Sequence, residues 1–190
     1  MIADTVRVEA YRRAITTVAE NKIVIDVGAG TGILSIMAVK AGATKVYAIE
    51  NSLISKNASV QFEEHKVHDK VELFVGLAED FELEGVKADI IVSEWMGYML
   101  LCENMLPSVI SVRDRCMAAG GIMIPRRSRL WFGVFQADPL LPLQILPAKT
   151  NDEQMYGSTE VCPPDNMLSG GIPILDLDLS TMENMYNNFR

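Results

Sequence analysis

The sequence predicts an α/β fold with a mostly parallel, doubly wound sheet, followed by a smaller β-rich segment. Three observations carry this expectation. Short apolar runs rich in β-branched residues alternate with helix-length segments from Asp4 to Ile124, the rhythm of βαβ units. A glycine cluster, Gly28-Ala29-Gly30-Thr31-Gly32, lies directly between the first apolar run and the helical pattern after it. The alternation stops at Pro125, and the pattern beyond it is of another kind.

Each element can be justified in order. Asp4 to Glu20 spaces Val6, Ala10, Tyr11, Ala14 and Val18 roughly as a helix does, with Arg7, Arg12 and Arg13 on or near the polar side. Ile23 to Val27 is short and almost continuously apolar, as in a strand buried on both faces. Ile33 to Ala41 reads as a helix ended by Gly42, Lys45 to Glu50 as a second strand, and Asn57 to Glu64 as the next helix. Val71–Val75 and Ala88–Ser93 supply two more strands. Met105 to Met117 is a helix with Pro107 in its first turn, where the missing N–H costs little. Gly120-Gly121 is expected to break it, and Gly121 to Ile124 to form a fifth strand. Arg129 to Phe135 reads as a strand of a different sheet, and Ile172 to Leu179 alternates as a half-exposed strand does. We therefore expect one domain over residues 1–124 and a second, β-rich segment over 125–190.

Composition narrows the function. The 190 residues are 49% apolar and 22% charged, which excludes disorder as the whole answer. The most apolar stretch, Ile90 to Cys102, is too short to cross a bilayer and contains Glu94, so no membrane association is expected. Met1-Ile2-Ala3-Asp4 does not open a signal peptide. Three cysteines without a C-x-x-C pair argue against a disulfide framework or a four-cysteine zinc site, and for a reducing, intracellular setting. His65 and His68 have a spacing that could hold a metal on a helix face, but a solvated polar run is the preferred reading. The net charge of −8 disfavours direct nucleic-acid binding and suits a cationic partner.

Two stretches carry the chemistry. The first is the glycine cluster, whose spacing, G-x-G-x-G, differs from the dinucleotide fingerprint. Glu50 closes the second strand 18 residues after Gly32, where a carboxylate can accept both hydroxyls of an adenosine ribose. Asp26, just before the loop, would repel a pyrophosphate. It would suit a sugar followed by a cation or an amino acid, as in S-adenosylmethionine. Taken singly, either carboxylate could merely end a strand in solvent. Arg7 could meet an α-carboxylate.

The second stretch is Ser93-Glu94-Trp95-Met96-Gly97-Tyr98-Met99-Leu100-Leu101-Cys102-Glu103. It follows the fourth strand and so opens at the carboxyl edge of the sheet, where such folds bind ligands. Glu94 and Glu103 stand among apolar residues, where a carboxylate is costly unless it meets a cation or a hydrogen-bond donor. A planar guanidinium, with five N–H donors, fits two carboxylates. Held that way, its remaining terminal nitrogen could face a sulfonium methyl.

At these residues the chain resembles the protein arginine N-methyltransferases, especially the asymmetric-dimethylating (type I) branch. The resemblance rests on Val27 to Ser35, on Val46-Tyr47-Ala48-Ile49-Glu50, and above all on Ser93-Glu94-Trp95-Met96-Gly97-Tyr98 with Glu103 and Met105. It implies a Rossmann-like class I methyltransferase domain followed by an incomplete β-barrel. It also implies S-adenosyl-L-methionine as cofactor, S-adenosyl-L-homocysteine as product, and arginines in Gly/Arg-rich or histone-like tails as substrates. By the same resemblance Glu94 and Glu103 would clamp the substrate arginine and Arg7 would bind the cofactor carboxylate. Asp26, Gly28 and Gly30 would line the methionine and sugar, Glu50 would take the ribose, and Glu79 would contact the adenine region. Met1 and Met105 match methionines that crowd the arginine pocket. In a complete enzyme, Glu94→Gln is then expected to abolish methylation and leave cofactor affinity nearly unchanged.

The departures set further expectations. The aromatic helix that precedes the first cofactor helix in the family, and the Thr-His-Trp loop that completes its substrate pocket, do not appear in the sequence. A dimerisation arm is expected near residues 150–170, with a homodimer and a cytoplasmic or nuclear location for the complete protein. Weak or no catalysis is expected of this polypeptide alone. The rival readings are a catalytically silent partner of an active methyltransferase subunit and a nucleotide-dependent oxidoreductase.

Overall fold

The computed structural model describes residues 2–134 and 169–183. The arm expected near 150–170, apart from its last two residues, lies outside the described residues, as do Met1 and Cys162.

Helix α1 (Thr5–Val18) begins at Asp4, whose carboxylate accepts the Arg7 N–H at 2.9 Å and so satisfies one of the open donors of the first turn. Next come β1 (Ile23–Val27), α2 (Ile33–Lys40), β2 (Lys45–Glu50), α3 (Ser55–Glu64), β3 (Val71–Val75), a 3₁₀ turn (Ala78–Asp80) and β4 (Ala88–Val92). Helix α4 (Leu106–Cys116) and β5 (Met117–Ile124) complete the sheet. Its order is β3-β2-β1-β4-β5, with every pair parallel. The connections run outward from β1 to β3 and then cross to β4, so the switch point lies between β1 and β4.

Both faces of the sheet are covered, which is why β1 has no polar alternation. Val24 packs with Tyr11, Ile15, Leu34 and Phe62 from α1, α2 and α3. Ile25 and Val27 point the other way, toward Val109, Ile110 and Cys116 of α4. Successive strand side chains face opposite sides, and here each side has its own core. Glycine is required at Gly32, whose φ is +83° and where a Cβ would lie 2.3 Å from the Phe62 ring.

One local expectation fails. The Gly120-Gly121 pair does not terminate α4. The helix stops at Cys116, Met117 is already extended, and β5 runs on through both glycines. Ala88 faces Met117 but Ile90 faces Ile122, so the strand bulges there, with Gly120 at φ +77°. The glycines accommodate extra residues inside a strand. Helix α3 also starts at Ser55, two residues before the expected Asn57.

Beyond Ile124 the chain forms an antiparallel pair, β6 (Arg127–Phe132) and β7 (Ile172–Asp178). Strand β6 lies two to three residues earlier than the expected 129–135. Arg127 donates to Asp176 at 2.7 Å through both Nε and Nη2. Trp131, Phe132, Val134, Ile172 and Ile174 are exposed. The end of β7 returns to the parallel sheet, where Leu179 is fully buried in the α4-side core.

Among the described residues no helix is long and apolar enough to cross a membrane, and no group of three His, Cys, Asp or Glu side chains could hold a metal.

Candidate functional site: the glycine loop and the double-glutamate loop

The site is built at the carboxyl ends of β1, β2 and β4. After β1 the chain turns through Gly28, Gly30 and Gly32, all with positive φ. The Gly28 and Ala29 N–H groups both donate to the Ile49 carbonyl at 2.9 Å, which seats the loop on the end of β2. A Cβ at Gly30 would meet nothing within 4 Å, so this part of the loop faces open space. At Gly28 a Cβ would lie 2.2 Å from the Met105 methyl, the far end of a flexible side chain from the second loop.

Glu50 supports the glycine loop from β2. Its Oε2 accepts the Gly30 N–H and its Oε1 the Ser52 N–H, each at 2.8 Å. A carboxylate has about four acceptor positions, so both oxygens keep capacity for a ligand hydroxyl. Asp26 lies beneath the loop and is fully buried. Its Oδ2 accepts from the Ser35 hydroxyl at 2.7 Å, while Oδ1 has no partner among the described residues. Burial pushes its carboxyl up to about 6, against the opposing effect of the Ser35 hydrogen bonds.

That shift has a measurable sign. The folded-state pKa lies above the ordinary 3.8, so the folded protein holds this proton more tightly than the unfolded chain does. The stabilisation is complete below pH 3.8 and disappears as pH rises through about 6. Asp26→Asn removes the linkage. In thermal unfolding between pH 4 and pH 7, the variant should gain on the wild type by on the order of 3 kcal/mol across that range. A stability difference independent of pH would refute this.

The second loop follows β4. Ser93 anchors its start: its hydroxyl donates to the Val27 carbonyl at 2.7 Å and its N–H to the Ile124 carbonyl at 3.0 Å. Trp95 is fully buried and fixes the chain direction. The backbone then doubles back. Gly97 bridges Leu100, the Cys102 N–H reaches the Tyr98 carbonyl at 3.0 Å, and Met99, Leu100 and Asn104 all have positive φ. Three non-glycine residues in that region store backbone strain, which clusters at functional sites. The reversal sets Glu103 against Gly97, where a Cβ would meet the Glu103 backbone nitrogen at 2.9 Å. Glu94 and Glu103 thus belong to one tight reversal.

Glu94 accepts from Arg7 Nη1 at 2.8 Å. Desolvation raises the Glu94 carboxyl above its ordinary range, Arg7 opposes this, and the charge of Glu103 adds to the rise. Glu79 stands on the 3₁₀ turn after β3, and its Oε1 accepts from Ser108 of α4 at 2.6 Å. Arg7 and Glu94 are thereby joined, with Glu103 near enough for its charge to act on the Glu94 carboxyl, at the start of a loop that Ser93 ties to Val27, the residue before Gly28.

Sequence reasoning missed Tyr11 as a site residue. Its hydroxyl donates to the Ser93 carbonyl at 2.8 Å and so ties α1 to the start of the double-glutamate loop. Burial, then the charge of Glu94, pushes its phenol well above the usual range. The signal was there: Tyr11 follows Arg7 by one helical turn and shares its face. Ser35 and Ser108, which hold Asp26 and Glu79, had no such signal, because their partners are distant in sequence.

The chain is similar to several known methyltransferases. Residues 8–127 match the family described as ribosomal protein L11 methyltransferase (PrmA). A relative from Oryza sativa subsp. indica described as "Probable protein arginine N-methyltransferase 6.1" is 47% identical over 84% of this chain and 39% of its own length. Protein arginine N-methyltransferase 6 of Danio rerio is 47% identical over 69% of the chain and 38% of its own length. The chain thus spans about two fifths of the length of these relatives. Among solved structures, the Trypanosoma brucei PRMT1 enzyme–prozyme heterotetrameric complex with AdoHcy superposes with a TM-score of 0.81, at 28% identity, over 96% of this chain and 62% of that one. Arabidopsis thaliana protein arginine methyltransferase 10 does so at 0.69 and 41% identity, over 73% of this chain and 40% of that one. With a methyltransferase family matched across its parallel sheet, and arginine methyltransferases matched in both sequence and fold, the chain belongs to the methyltransferases and, among them, is similar to the protein arginine N-methyltransferases.

Proposed function

We propose that the protein transfers a methyl group from S-adenosylmethionine to a guanidinium nitrogen of a protein arginine. The observation that carries this is the tight reversal that sets Glu94 and Glu103 together beside an open glycine loop. Domain 1–124 would hold the cofactor, and residues 125–190 would begin a β-barrel that flanks the substrate.

The residues fit the cofactor. The open face at Gly30 admits a ligand against the backbone. Glu50 would take the ribose hydroxyls on its spare lone pairs, and Glu79 the adenine side. Asp26 beneath Gly28 favours a cation above the loop and disfavours a pyrophosphate. Arg7 would bind the amino-acid carboxylate. When bound, the cofactor supplies an electrophilic methyl on a positively charged sulfur.

The chain's own residues do the rest. Glu94 and Glu103 hold the guanidinium by charge-assisted hydrogen bonds. They localise positive charge on the nitrogens they contact and leave the third facing the methyl. Orientation supplies much of the acceleration, since the reaction is an in-line transfer between two bound molecules. The new N–C bond uses the nitrogen lone pair, the S–C electrons return to sulfur, and one glutamate accepts the proton that the methylated nitrogen releases. We assign monomethyl and asymmetric dimethylarginine as products, Gly/Arg-rich or histone-like tails as substrates, and a homodimer as the assembly.

Calorimetric titration tests the reading. S-adenosylhomocysteine should bind in the micromolar range, about −8 kcal/mol, and NAD should not bind. Binding of NAD alone would overturn the proposal.

A further inference from the structure

We infer that Arg7 is shared between the two subsites: the cofactor carboxylate and Glu94 compete for its guanidinium, so cofactor binding releases Glu94 to grip the substrate. This rests on the methyltransferase reading above and adds a coupling between its two ligands. The observation is a crowded cation. Arg7 Nη1 donates to Glu94 Oε1 at 2.8 Å, and Arg7 Nε lies 3.1 Å from Asp4 Oδ2. One positive charge already faces two carboxylates. A third, brought by the amino-acid end of the cofactor, finds much of the field of Arg7 spent on its neighbours.

Geometry decides which neighbour yields. Asp4 is tied to its place because its other oxygen, Oδ1, caps α1 through the Arg7 N–H at 2.9 Å. Glu94 has Glu103 beside it, whose charge makes its ionised form costlier. It also has an alternative cation in the substrate guanidinium. Glu94 is therefore the partner that leaves. Once it does, its Oε1 can accept from substrate, and linkage makes the effect reciprocal: whatever removes Glu94 from Arg7 tightens the carboxylate-bearing cofactor. The unchanged cofactor affinity expected from sequence for Glu94→Gln gives way to a gain. Arg7 is a positioning residue for Glu94 as well as a cofactor ligand.

The test uses the whole chain and two probes: S-adenosylhomocysteine, and 5′-methylthioadenosine, which keeps the nucleoside and thioether but lacks the amino acid. In calorimetry, Glu94→Gln should tighten S-adenosylhomocysteine about fivefold to tenfold and leave 5′-methylthioadenosine within about twofold. Arg7→Ala should weaken only the former, and in the Arg7→Ala background Glu94→Gln should have no further effect. Circular dichroism melts of each variant establish that it is folded. The inference is overturned if Glu94→Gln weakens S-adenosylhomocysteine or leaves it unchanged. It is equally overturned if both probes shift alike, or if the Glu94→Gln effect persists without Arg7. Failure of the wild type to bind S-adenosylhomocysteine would instead overturn the underlying methyltransferase reading.

Discussion

In the complete protein, Glu94→Gln should lower methyl transfer to a Gly/Arg-rich peptide by about a hundredfold to a thousandfold, the usual cost of removing one preorganised electrostatic group from a reaction centre. The substitution keeps the size and planarity of the side chain and removes its charge. The amide can still accept a hydrogen bond through its oxygen, but its nitrogen turns two donors toward a guanidinium that has only donors. The clamp then repels where it attracted. Stability should move by less than about 1 kcal/mol, because the Arg7 partner is nearly half exposed and such pairs contribute little. Radiolabelled methyl transfer at saturating cofactor, with thermal unfolding alongside, separates the two effects. A variant that keeps more than about a third of the wild-type rate would remove Glu94 from the reaction. The pH profile gives a second readout. Burial raises the Glu94 carboxyl, so the wild-type rate should fall as acid protonates it, and this limb should be missing in the variant. Glu103→Gln should resemble it, and the double variant should lose little more than either single one, since both groups hold one guanidinium.

Much of this architecture was legible in the sequence because the elements concerned are locally determined. A strand buried on both faces must be nearly all apolar, and Ile23–Val27 is, save for Asp26 beside the glycine loop. A loop that admits a ligand against its backbone needs glycine, and Gly28, Gly30 and Gly32 stand in that register. Glu94 and Glu103 stood out in the sequence as carboxylates amid Trp95, Met96, Leu100 and Leu101, where such a group is costly unless it is solvated or meets a cation or a hydrogen-bond donor. What sequence did not reveal depends on contacts made at a distance. Gly120 and Gly121 looked like a helix stop. Only the pairing of β4 with β5 shows that they bulge a strand. The contact between Arg7 and Glu94 joins residues 87 apart, and nothing local in either segment announces it. Arg7 was assigned to the cofactor and Glu94 to the substrate, and the hydrogen bond between them is the physical basis for treating the two subsites as one coupled system.

The joint between the sheet and the hairpin was the least legible part, and it supplies the largest expected effect on stability. Arg113 lies on α4, one of two basic residues in its last turn, where an exposed charge would suit the helix dipole. It is instead only 9% exposed. Its Nη1 donates to the Leu179 carbonyl at 2.5 Å, its Nη2 to the Met182 carbonyl at 2.7 Å, and its Nε to Asp114 at 2.8 Å. These bonds hold the turn after β7 against α4 and keep Leu179 in the core beside Val109 and Ile110. Arg113→Ala would leave two backbone carbonyls without donors, open a cavity the length of the arginine stem, and loosen Leu179. Unpaired buried polar groups and broken buried charge contacts together should cost about 3–5 kcal/mol. Arg113→Lys, which keeps the charge but loses the fork, should fall between that value and the wild type. Urea unfolding read by tryptophan fluorescence checks both. Trp95 is buried in the α4-side core and Trp131 is exposed on β6, so the pair reports on both sides of the joint. A loss below about 1 kcal/mol for Arg113→Ala would mean that the hairpin is held by its apolar contacts, Leu177, Leu179 and Met182, and not by Arg113. The consequence reaches the site, because α4 begins directly after the double-glutamate loop, with Met105 against Gly28 and Ser108 on Glu79. A helix unpinned at its far end should also hold Glu103 less firmly. In the complete protein carrying Arg113→Ala, methyl transfer should therefore weaken through a higher KM for peptide before cofactor binding changes.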